Sequence, residues 1–396
     1  MINRFLERYL RRDASLYPVL TLTGPRQSGK TTLARATFPK HRYVSLEEPD
    51  LRGFARDDPR GFLDQFDGPV ILDEAQRAPD LFSYIQTRVD ADDAVGRFVL
   101  TGSQNFLLLD HISQTLAGRC AVLHLLPFSR AELEGQDQQM PETPQALFAN
   151  QHTDLSLWST LHTGFYPRIH DRNIPSEIWL PDYVQTYLER DVRALVNIGD
   201  LDTFERFLAL CAGRAGQMLN YSSLASDCGI AVDTARRWIS ILKTSFIVFL
   251  LPPHHRNFNK RIVKSPKLYF YDTGLACYLL GIKDARILPT HPLRGALFEN
   301  YLVAEVAKAF HHHRQKPPLY FWRDRTGHEV DLLLELNNEL YPIEIKSGKT
   351  VSSDAFSRLE WWSRSAGQPL SRASLVHGGD QAYVRNQVAV RPWFAV

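Results

Sequence analysis

The sequence has little of what marks secreted, membrane-spanning or zinc-binding proteins. Only 4 cysteines occur in 396 residues, without a C-x-x-C pair or histidines at zinc spacing, and we interpret them as buried thiols in a reducing compartment. No apolar run is long enough to cross a bilayer, so we expect a soluble protein without a membrane partner. The net charge is only +2, so charge by itself neither requires nor excludes a nucleic-acid partner.

Two segments of unusual composition are interpreted as helices without a functional role. The first residues, MINRFLERYLRR, are amphipathic and arginine-rich, but they lack the apolar core and the cleavage site of a signal peptide. We interpret them as a helix that leads into the first domain, and we expect cytoplasmic residence. The run of His311, His312 and His313 is interpreted as the solvated end of a helix rather than as a metal site.

The strongest motif is a glycine-bounded loop between a predicted strand and a predicted helix. The segment VLTLTGPRQSGKTTLARATF begins as an apolar, β-branched strand at Val19–Thr23 and continues, after the loop, as a helix that opens at Lys30. The spacing G-x-x-x-x-G-K-T, from Gly24 to Thr31, is that of a Walker A motif, in which glycines let backbone N–H groups surround a phosphate at a helix N-terminus. We expect Lys30 to pair with β- and γ-phosphate oxygens of ATP and the Thr31 hydroxyl to ligate Mg²⁺. The candidate nucleotide-binding residues are Gly24, Gln27, Ser28, Gly29, Lys30, Thr31 and Thr32.

Two carboxylates follow a second apolar strand of this kind. The segment GPVILDEAQ is predicted to be a buried parallel strand with Asp73 and Glu74 at its tip. Ligands of open α/β sheets bind at the carboxyl ends of the strands. We therefore expect Asp73 to hold Mg²⁺ through water and Glu74 to polarise the attacking water, which makes the pair a Walker B motif.

Two further positions are candidates for completing a hydrolytic site. The apolar strand in RFVLTGSQN ends in Ser103, Gln104 and Asn105, of which Gln104 is the first choice for contacting the γ-phosphate or the attacking water. Arg119 lies on a short loop before another strand. It is interpreted either as an arginine finger acting on a neighbouring subunit of a homo-oligomer or as a local salt bridge.

These motifs resemble those of a family of prokaryotic AAA-type ATPases, in which such a core is followed by a long carboxy-terminal extension of unassigned function. The resemblance runs along most of the chain and implies an ATPase core. It rests on the segments TGPRQSGKTTLAR, YVSLEEPDLRGFARDDPRGFL, ILDEAQRAPDLFSYIQ, FVLTGSQNFLL, LAGRCAVLHLLPFSRAEL and TYLERDVRALVNIGD.

The middle of the chain begins after a change in composition. Residues 134–154 are rich in Gln, Pro and Asn, which indicates a loop-rich boundary. The stretch PDYVQTYLERDVRALVNIGDLDTFERFLALCAGRAG is helical by period and resembles the helical lid of this ATPase class. Arg190 and Arg193 are interpreted either as lid residues that reach the phosphates or as part of a solvated charged face. The apolar face is formed by Tyr183, Tyr187, Leu188, Val192 and Leu195.

The segment NYSSLASDCGIAVDTARRWISILKTSFIVFLLPP has the pattern of a helix-turn-helix. Leu224 is predicted in a first short helix, and Gly229 permits the tight turn. A second helix bears Arg236 and Arg237, and the β-rich run after it fits a wing. Winged helices hold DNA phosphates or serve only as spacers between domains, and we predict largely non-specific DNA contact here. The basic residues of the predicted wing are Arg256, Lys260, Arg261, Lys264 and Lys267, and the DNA-binding candidates are Arg236, Arg237, Lys260 and Arg261.

The last module combines a helix, FENYLVAEVAKAF, with two predicted strands in LYFWRDRTGHEVDLLLELNNELYPIEIKSG. Asp331 lies in the first strand, while Glu344 and Lys346 alternate onto one face of the second. This arrangement resembles the PD-(D/E)xK nuclease superfamily. The resemblance implies that Asp331 and Glu344 bind Mg²⁺, that Lys346 positions the attacking water, and that Glu299 completes the metal site. The alternative is a salt bridge between Glu344 and Lys346 in a superfamily member without activity.

Together these patterns predict an α/β protein of four modules. We expect a P-loop AAA-type ATPase core with a parallel sheet at 1–134, a helical lid or linker at 154–215, a winged helix-turn-helix at 216–282 and a restriction-endonuclease-like α/β domain of the PD-(D/E)xK type at 290–396. The predicted function is Mg²⁺-dependent ATP hydrolysis that acts on DNA or on a protein bound to it, with metal-dependent DNA cleavage left open. The alternative is a nucleotide-gated regulatory or antitoxin-like interaction protein whose nuclease-like domain is inactive.

Overall fold

The computed structural model describes residues 2–92, 94–102, 115–187, 201–254, 265–324 and 326–396. Contacts divide the chain into two compact units. The first unit comprises Met1–Phe128, Thr244–Phe246 and His311–Gln315. The second comprises Ser129–Lys243, Ile247–Phe310 and Lys316–Val396. In the described part of the chain, no helix combines the length and the apolar character that spanning a membrane requires.

The first unit is built on a parallel sheet. Its strands have the order β2-β3-β4-β1-β5, and every pairing between neighbours is parallel. Strands β1, β3 and β4 are buried along their whole length, which explains their predominantly apolar sequences. The elements are α1 (Leu6–Ala14), β1 (Val19–Thr23), α2 (Lys30–Thr37), β2 (Arg42–Ser45), α3 (Pro49–Asp57), α4 (Pro59–Asp64), β3 (Val70–Asp73), a 3₁₀ turn (Ala75–Arg77), α5 (Leu81–Ala91), β4 (Phe98–Gly102) and β5 (Cys120–His124).

Proline and aspartate set the boundaries of α3 and α4. Each helix begins with a proline, which fits the first helical turn because no N–H donor is needed there. Asp58 caps α4 by accepting a hydrogen bond from the Gly61 N–H at 2.9 Å. Phe62 and Leu63 of α4 are then buried in the same apolar cluster as the β3 side chain of Val70. This stretch between β2 and β3 is helical, and it contributes to the core beside the sheet.

The histidine run is buried rather than solvated, so the prediction of an exposed helix end is wrong. His312 and His313 are almost completely buried in the first unit. The His313 ring lies against the α1 side chains of Phe5 and Tyr9, at 6.1 Å and 6.0 Å between ring centroids. Burial lowers the pKa of His311 to about 3, so that imidazole is neutral at physiological pH. The sequence did not indicate this because the burial arises from packing against a segment that is distant along the chain.

The second unit opens with a mainly helical part. Its elements are α6 (Arg130–Leu133), α7 (Pro144–Leu147), α8 (Leu157–Thr163), α9 (Pro167–Asp171), α10 (Ser176–Tyr187), α11 (Leu201–Ala212), α12 (Tyr221–Cys228), α13 (Val232–Thr244), the antiparallel pair β6 (Val248–Leu251) and β7 (Lys267–Phe270), and α14 (Thr273–Leu279) with a 3₁₀ helix (Ala285–Thr290). Tyr183 and Tyr187 of α10 are buried, as the helical period predicted. Leu188, Val192 and Leu195 of the same predicted face lie outside the described residues.

The predicted pair of helices around Gly229 is present as α12 and α13. Asn220 begins α12 by accepting a hydrogen bond from the Ser223 N–H at 3.1 Å, and Gly229 ends it with a positive φ of 74°. Leu224 and Trp238 are buried in the unit. These packed side chains fix α13, whose opposite face points to solvent.

A mixed sheet with two long helices forms the rest of the second unit. The sheet order is β12-β13-β11-β10-β9-β8, where β8, β9 and β10 are antiparallel neighbours and β11 runs parallel to β10. A two-residue turn with positive φ at Asn337 and Asn338 connects β9 to β10. The elements are α15 (Arg294–His312, whose last residues belong to the first unit), β8 (Leu319–Arg323), β9 (Glu329–Leu336), β10 (Glu339–Lys346), α16 (Ser353–Ala366), a 3₁₀ turn (Leu370–Arg372), β11 (Ser374–His377), β12 (Tyr383–Arg385) and β13 (Val388–Pro392).

Two strands were predicted from the sequence in the segment that ends with Lys346, whereas the structure has three, β8, β9 and β10. The chain turns back after β8 because Asp324 accepts hydrogen bonds from the N–H groups of Thr326 at 2.9 Å and His328 at 3.0 Å. The segment that begins at Leu319 therefore forms its own strand before β9. The resulting order of elements is helix, three antiparallel strands, helix and a strand parallel to the third.

Candidate functional site

The loop between β1 and α2 requires glycine at its start. Gly24 has a φ of 151°, and a Cβ atom placed on it would lie 2.0 Å from the Leu125 carbonyl oxygen. Gly29, at the N-terminus of α2, has a φ of 90° and thus the left-handed conformation that favours glycine. The loop can take this path only with these two residues, which explains the Walker A spacing in terms of backbone geometry.

Lys30 is folded back onto its own loop. Its Nζ donates to the carbonyl oxygens of Gly24 at 3.1 Å and Pro25 at 2.7 Å. The Ser28 hydroxyl is completely buried, and its oxygen has no hydrogen-bond partner among the described residues. Gln27 has a positive φ of 63°, while Thr32 is exposed on the first turn of α2. An ammonium bonded to two carbonyl oxygens and an unsatisfied hydroxyl are groups that phosphate oxygens can engage.

The carboxylate of Asp73 lies at the centre of a group of hydroxyls. The Thr31 hydroxyl lies 3.0 Å from one carboxylate oxygen and 3.1 Å from the other. Tyr43 of β2 donates its phenol O–H to Asp73 Oδ2 at 2.8 Å, and Thr101 of β4 donates to Asp73 Oδ1. The donor set therefore fits Mg²⁺, since a threonine hydroxyl and an aspartate carboxylate are hard oxygen ligands that lie side by side here. Tyr43 and Thr101 are not among the residues that the sequence motifs predicted.

Glu74 follows Asp73 directly but points to a different partner. Its backbone is in the left-handed region, with a φ of 55° and a ψ of 44°. Its carboxylate accepts a hydrogen bond from the Gln76 side-chain amide. Gln76 is itself buried, and its proximity to the carboxylate arises from the 3₁₀ turn Ala75–Arg77. The predicted catalytic carboxylate is thus held by a residue that the motif analysis did not single out.

An arginine ahead of α1 also reaches the loop. Arg4 is buried and donates to the Ser28 carbonyl oxygen at 3.1 Å and to the Leu126 carbonyl oxygen at 2.6 Å. Its guanidinium carbon lies 4.5 Å from the centre of the Phe128 ring. The side chain therefore connects the nucleotide-binding loop to the segment that follows β5. No sequence signal identified it, because it lies outside every recognised motif.

The remaining nucleotide-site candidates have different outcomes. Arg119 forms a two-point contact with Asp90, with one N–O distance of 2.9 Å, and also donates to the Ala117 carbonyl oxygen at 3.2 Å. This geometry is that of a local salt bridge, the second of the two interpretations. Outside the described residues lie Ser103, Gln104 and Asn105 together with the predicted lid arginines Arg190 and Arg193.

The acid and lysine motif of the second unit forms a compact ion-pair group. Lys346 Nζ lies 2.6 Å from Glu344 Oε1 and 3.7 Å from Asp331 Oδ2. Asp331 also accepts a hydrogen bond from the Ile345 N–H at 2.8 Å. Glu344 is fully buried, and its Oε2 has no hydrogen-bond partner among the described residues. Burial, followed by the nearby Asp331 carboxylate, raises the pKa of Glu344 to about 8.

Glu299, the fourth expected member, is bonded elsewhere. Its Oε1 accepts from Lys267 Nζ at 2.9 Å and from the Tyr269 phenol at 2.6 Å. Lys267 also contacts Glu329 at 2.5 Å and is buried on β7, so its ammonium is bonded to carboxylates of the chain. Over the described ranges, no group of three or more His, Cys, Asp or Glu side chains is arranged to hold a metal ion. The structure therefore brings together Asp331, Glu344 and Lys346, but it does not add Glu299 to them as a ready ligand set.

The predicted DNA-contacting side chains are only partly described. Arg236 and Arg237 are exposed on α13. The guanidinium of Arg236 lies 4.6 Å from the centre of the Tyr221 ring, which orients it along the helix surface. Lys260 and Arg261, together with Arg256 and Lys264 of the predicted wing, lie outside the described residues.

Three family models match consecutive parts of the chain. An AAA domain matches residues 16–134, which contain the parallel sheet and the nucleotide-binding loop. A domain of unknown function (DUF8612) matches residues 155–286, and another (DUF4143) matches residues 294–394. The fold, the loop geometry and the AAA match together define the first unit as an AAA-type P-loop ATPase core.

Curated relatives extend the match along nearly the whole chain. An uncharacterized protein of Mycobacterium tuberculosis and one of Mycobacterium bovis are each 32% identical to this chain over 385 residues. The alignment covers 96% of this chain and 81% of each relative. The chain belongs to the family of these mycobacterial proteins. In this chain, an AAA domain is followed by two domains of unknown function.

Solved structures give weaker likenesses. A Walker-type ATPase of Pyrococcus abyssi has a TM-score of 0.42 and 16% identity, covering 70% of this chain and 96% of its own. A RuvB variant of Thermotoga maritima has a TM-score of 0.28 and 17% identity, covering 62% of this chain and 89% of its own. At such TM-scores these likenesses carry no argument about the present chain.

Proposed function

We propose that the chain binds ATP with Mg²⁺ at the loop before α2, hydrolyses it, and uses the hydrolysis to act on DNA. The observation that carries the nucleotide part is the 3.0 Å contact between the Thr31 hydroxyl and Asp73. This contact joins the first turn of α2 to the end of β3, beside the Lys30 ammonium, which donates to two carbonyl oxygens of the loop. Such a pair of oxygen ligands next to a P-loop lysine is what a Mg²⁺–nucleotide requires.

Each residue of the site has a separate role in this proposal. Lys30 exchanges its carbonyl partners for phosphate oxygens, while Thr31 and Asp73 hold Mg²⁺, which neutralises charge on the phosphates when it is bound. Glu74 orients the attacking water, after release from Gln76. Gln104 and Arg119 are proposed as weaker contributors, Gln104 toward the γ-phosphate and Arg119 only if it leaves Asp90 to act on a neighbouring copy.

Two variants test the nucleotide site. Lys30→Ala is expected to abolish ATP binding and hydrolysis, because the loop loses its only lysine contact to the phosphates. Glu74→Gln is expected to keep ATP binding and stop turnover, since an amide cannot accept the proton of water. Phosphate release and nucleotide titration measure the two effects. An active Lys30→Ala variant would contradict the assignment of the site.

DNA is proposed as the partner on the basis of α13. Arg236 and Arg237 are exposed on this helix, beyond the tight turn at Gly229, in the arrangement through which helix-turn-helix modules contact DNA. We expect double-stranded DNA to stimulate ATP hydrolysis at low salt and the stimulation to fall steeply as salt rises. The double variant Arg236→Ala/Arg237→Ala is expected to lose the stimulation but keep the basal rate. If DNA neither binds nor stimulates at moderate salt, the DNA part of the proposal is wrong.

A second candidate is a nucleotide-gated regulatory or antitoxin-like interaction protein whose nuclease-like domain is inactive. The observation that favours it is the ion pairing of Lys346 with Glu344 at 2.6 Å and of Glu299 with Lys267 at 2.9 Å. Glu344 and Glu299, which a metal ion would require as ligands, are then each bonded to an ammonium of the chain. In the active alternative, Asp331 and Glu344 would hold Mg²⁺, and Lys346 would position the attacking water.

A nicking assay separates the two candidates. Plasmid, linear and branched DNA are incubated with Mg²⁺ or Mn²⁺ and the wild-type chain, and with the Asp331→Ala and Lys346→Ala variants. Cleavage by the wild type alone supports a metal-dependent nuclease. No cleavage by any of the three supports the interaction protein, and equal cleavage by all three identifies a contaminating nuclease.

A further inference from the structure

Tyr43 donates to Asp73 from a strand that contains neither the Walker A nor the Walker B residues. It lies on β2, whose neighbour β3 carries Asp73 opposite Ser45. Because side chains two residues apart share a face of a strand, Tyr43 and Ser45 lie on one side of β2. The Tyr43 phenol reaches along this face and donates to Asp73 Oδ2 at 2.8 Å.

We propose that Tyr43 is a positioning residue for Mg²⁺, holding the Asp73 carboxylate in the orientation in which it and Thr31 receive the ion together with the nucleotide. The inference rests on the proposed function, since it assigns a determinant of metal affinity at the same site. In this role, the Tyr43 phenol fixes Oδ2 of Asp73, whereas Thr101 donates to Oδ1.

The hydrogen bonds around Asp73 divide its two oxygens between different elements. Thr101 of β4 donates to Oδ1, whereas Tyr43 of β2 donates to Oδ2. Thr31 lies within 3.1 Å of both oxygens. When Thr31 turns its oxygen lone pair toward a metal ion, Thr101 and Tyr43 remain as the donors that prevent the carboxylate from rotating. Without the phenol, Oδ2 is held only from the side of Thr31.

Tyr43 is itself fixed in place. The guanidinium carbon of Arg35, on α2, lies 4.7 Å from the centre of the Tyr43 ring. A phenol carries its proton at physiological pH, so the Tyr43 O–H donates to the carboxylate, at 2.8 Å. The Tyr43 side chain therefore lies between Arg35 of α2 and the Asp73 carboxylate that it orients.

The test compares ADP binding with and without metal in the wild type and in Tyr43→Phe. This change removes one oxygen and keeps the ring under Arg35, so the fold is expected to be retained. Isothermal titration measures ADP affinity in Mg²⁺ and in EDTA. We expect the gain in affinity from Mg²⁺ to fall about tenfold in the variant, the usual scale for losing an outer-shell partner of a metal ligand, while affinity in EDTA changes by less than about twofold.

Tyr84→Phe is the matched control, because Tyr84 is an exposed tyrosine of α5 in the same unit. It is expected to leave both affinities unchanged. The Mg²⁺ concentration for half-maximal hydrolysis provides a second readout and is expected to rise in Tyr43→Phe alone. If the role of Tyr43 is only structural, the variant lowers the melting temperature and keeps the full Mg²⁺ gain, which overturns the inference. A wild-type chain without any Mg²⁺ gain overturns the proposed metal site first, so the two failures are distinguishable.

Discussion

The charged groups of the two candidate sites differ in the partners that hold them. In the first unit, Lys30 donates to backbone carbonyls and Asp73 accepts from hydroxyls. In the second unit, Lys346 and Lys267 are bonded to carboxylates. A ligand can replace neutral partners at small cost, whereas separating a buried ion pair costs several kcal/mol. The first site is therefore prepared for exchange with a ligand, while the second is neutralised by its own chain.

The largest expected effect comes from breaking a buried pair of the second unit. Lys267→Met leaves Glu299 buried without its cation, and we expect the free energy of unfolding to fall by about 3–5 kcal/mol. Lys30→Met, measured without nucleotide, is expected to cost only about 1–2 kcal/mol, because it loses hydrogen bonds to neutral carbonyls. Urea unfolding of both variants measures the difference.

A second substitution identifies the cause of this loss. Adding Glu299→Gln to Lys267→Met removes the uncompensated charge and is expected to restore a large part of the stability. Glu329 keeps a partner in that variant, since Arg323 lies 3.1 Å from it. Equal costs for Lys267→Met and Lys30→Met would show that the two sites do not differ in the way described.

The sequence predicted the first site well because its motif is local. The spacing from Gly24 to Thr31 encodes a backbone path, and the strand before it is recognisable from its apolar residues. The contacts of Tyr43 and Thr101 were missed, since they depend on the lateral order of β2, β3 and β4 in the sheet. Nothing in a single sequence specifies which strand tips become neighbours.

In the second unit, too, local patterns were predicted from the sequence and contacts between distant residues were not. The alternation of Glu344 and Lys346 on a strand was predicted correctly, because a period of two residues is a local property. Lys267 was assigned to the basic residues of a predicted wing, and the sequence did not indicate that it is buried against Glu299 of α15, which lies 32 residues away along the chain. A lysine in a basic segment gives no local indication that distant carboxylates surround it.

A separate prediction concerns the pH dependence of stability, which we expect to depend on Glu344. Its pKa in the folded chain is raised from 4.5 to about 8, so folding favours the protonated carboxyl. The stability contributed by this group is present at low pH and is lost as the pH rises from about 4.5 to about 8. The slope is at most about 1.4 kcal/mol for each pH unit in that window.

Glu344→Gln is expected to flatten this part of the profile. Urea unfolding between pH 5 and pH 8, a range that follows from the raised pKa of Glu344, compares the variant with the wild type. The exposed carboxylate of Glu339 on the same strand supplies the control variant Glu339→Gln. Parallel profiles for the wild type and Glu344→Gln would mean that Glu344 is ionised in the folded chain.

Arg4 tests whether the first site depends on support from outside its motifs. Arg4→Met removes two hydrogen bonds to carbonyl oxygens, one of them on the nucleotide-binding loop at Ser28. We expect ADP to bind about tenfold more weakly, which corresponds to the loss of one charge-assisted hydrogen bond of about 1.4 kcal/mol. Arg8→Met, at an exposed position of α1, is the control. Unchanged ADP affinity in Arg4→Met would confine Arg4 to a role in folding.

The smallest expected effect concerns the partner of Glu74. Gln76→Ala removes the amide that donates to this carboxylate, so Glu74 loses one restraint on its orientation before any nucleotide-driven change occurs. The lost hydrogen bond has a net strength of about 0.5–1 kcal/mol. If this energy no longer has to be overcome before the reaction, basal ATP hydrolysis is expected to rise about two- to fivefold. Gln86→Ala, on α5, is the control and is expected to keep the wild-type rate. If Gln76→Ala hydrolyses ATP more slowly than the wild type, Gln76 assists the reaction. The hydrogen bond from Gln76 to Glu74 would then have to remain in place during hydrolysis.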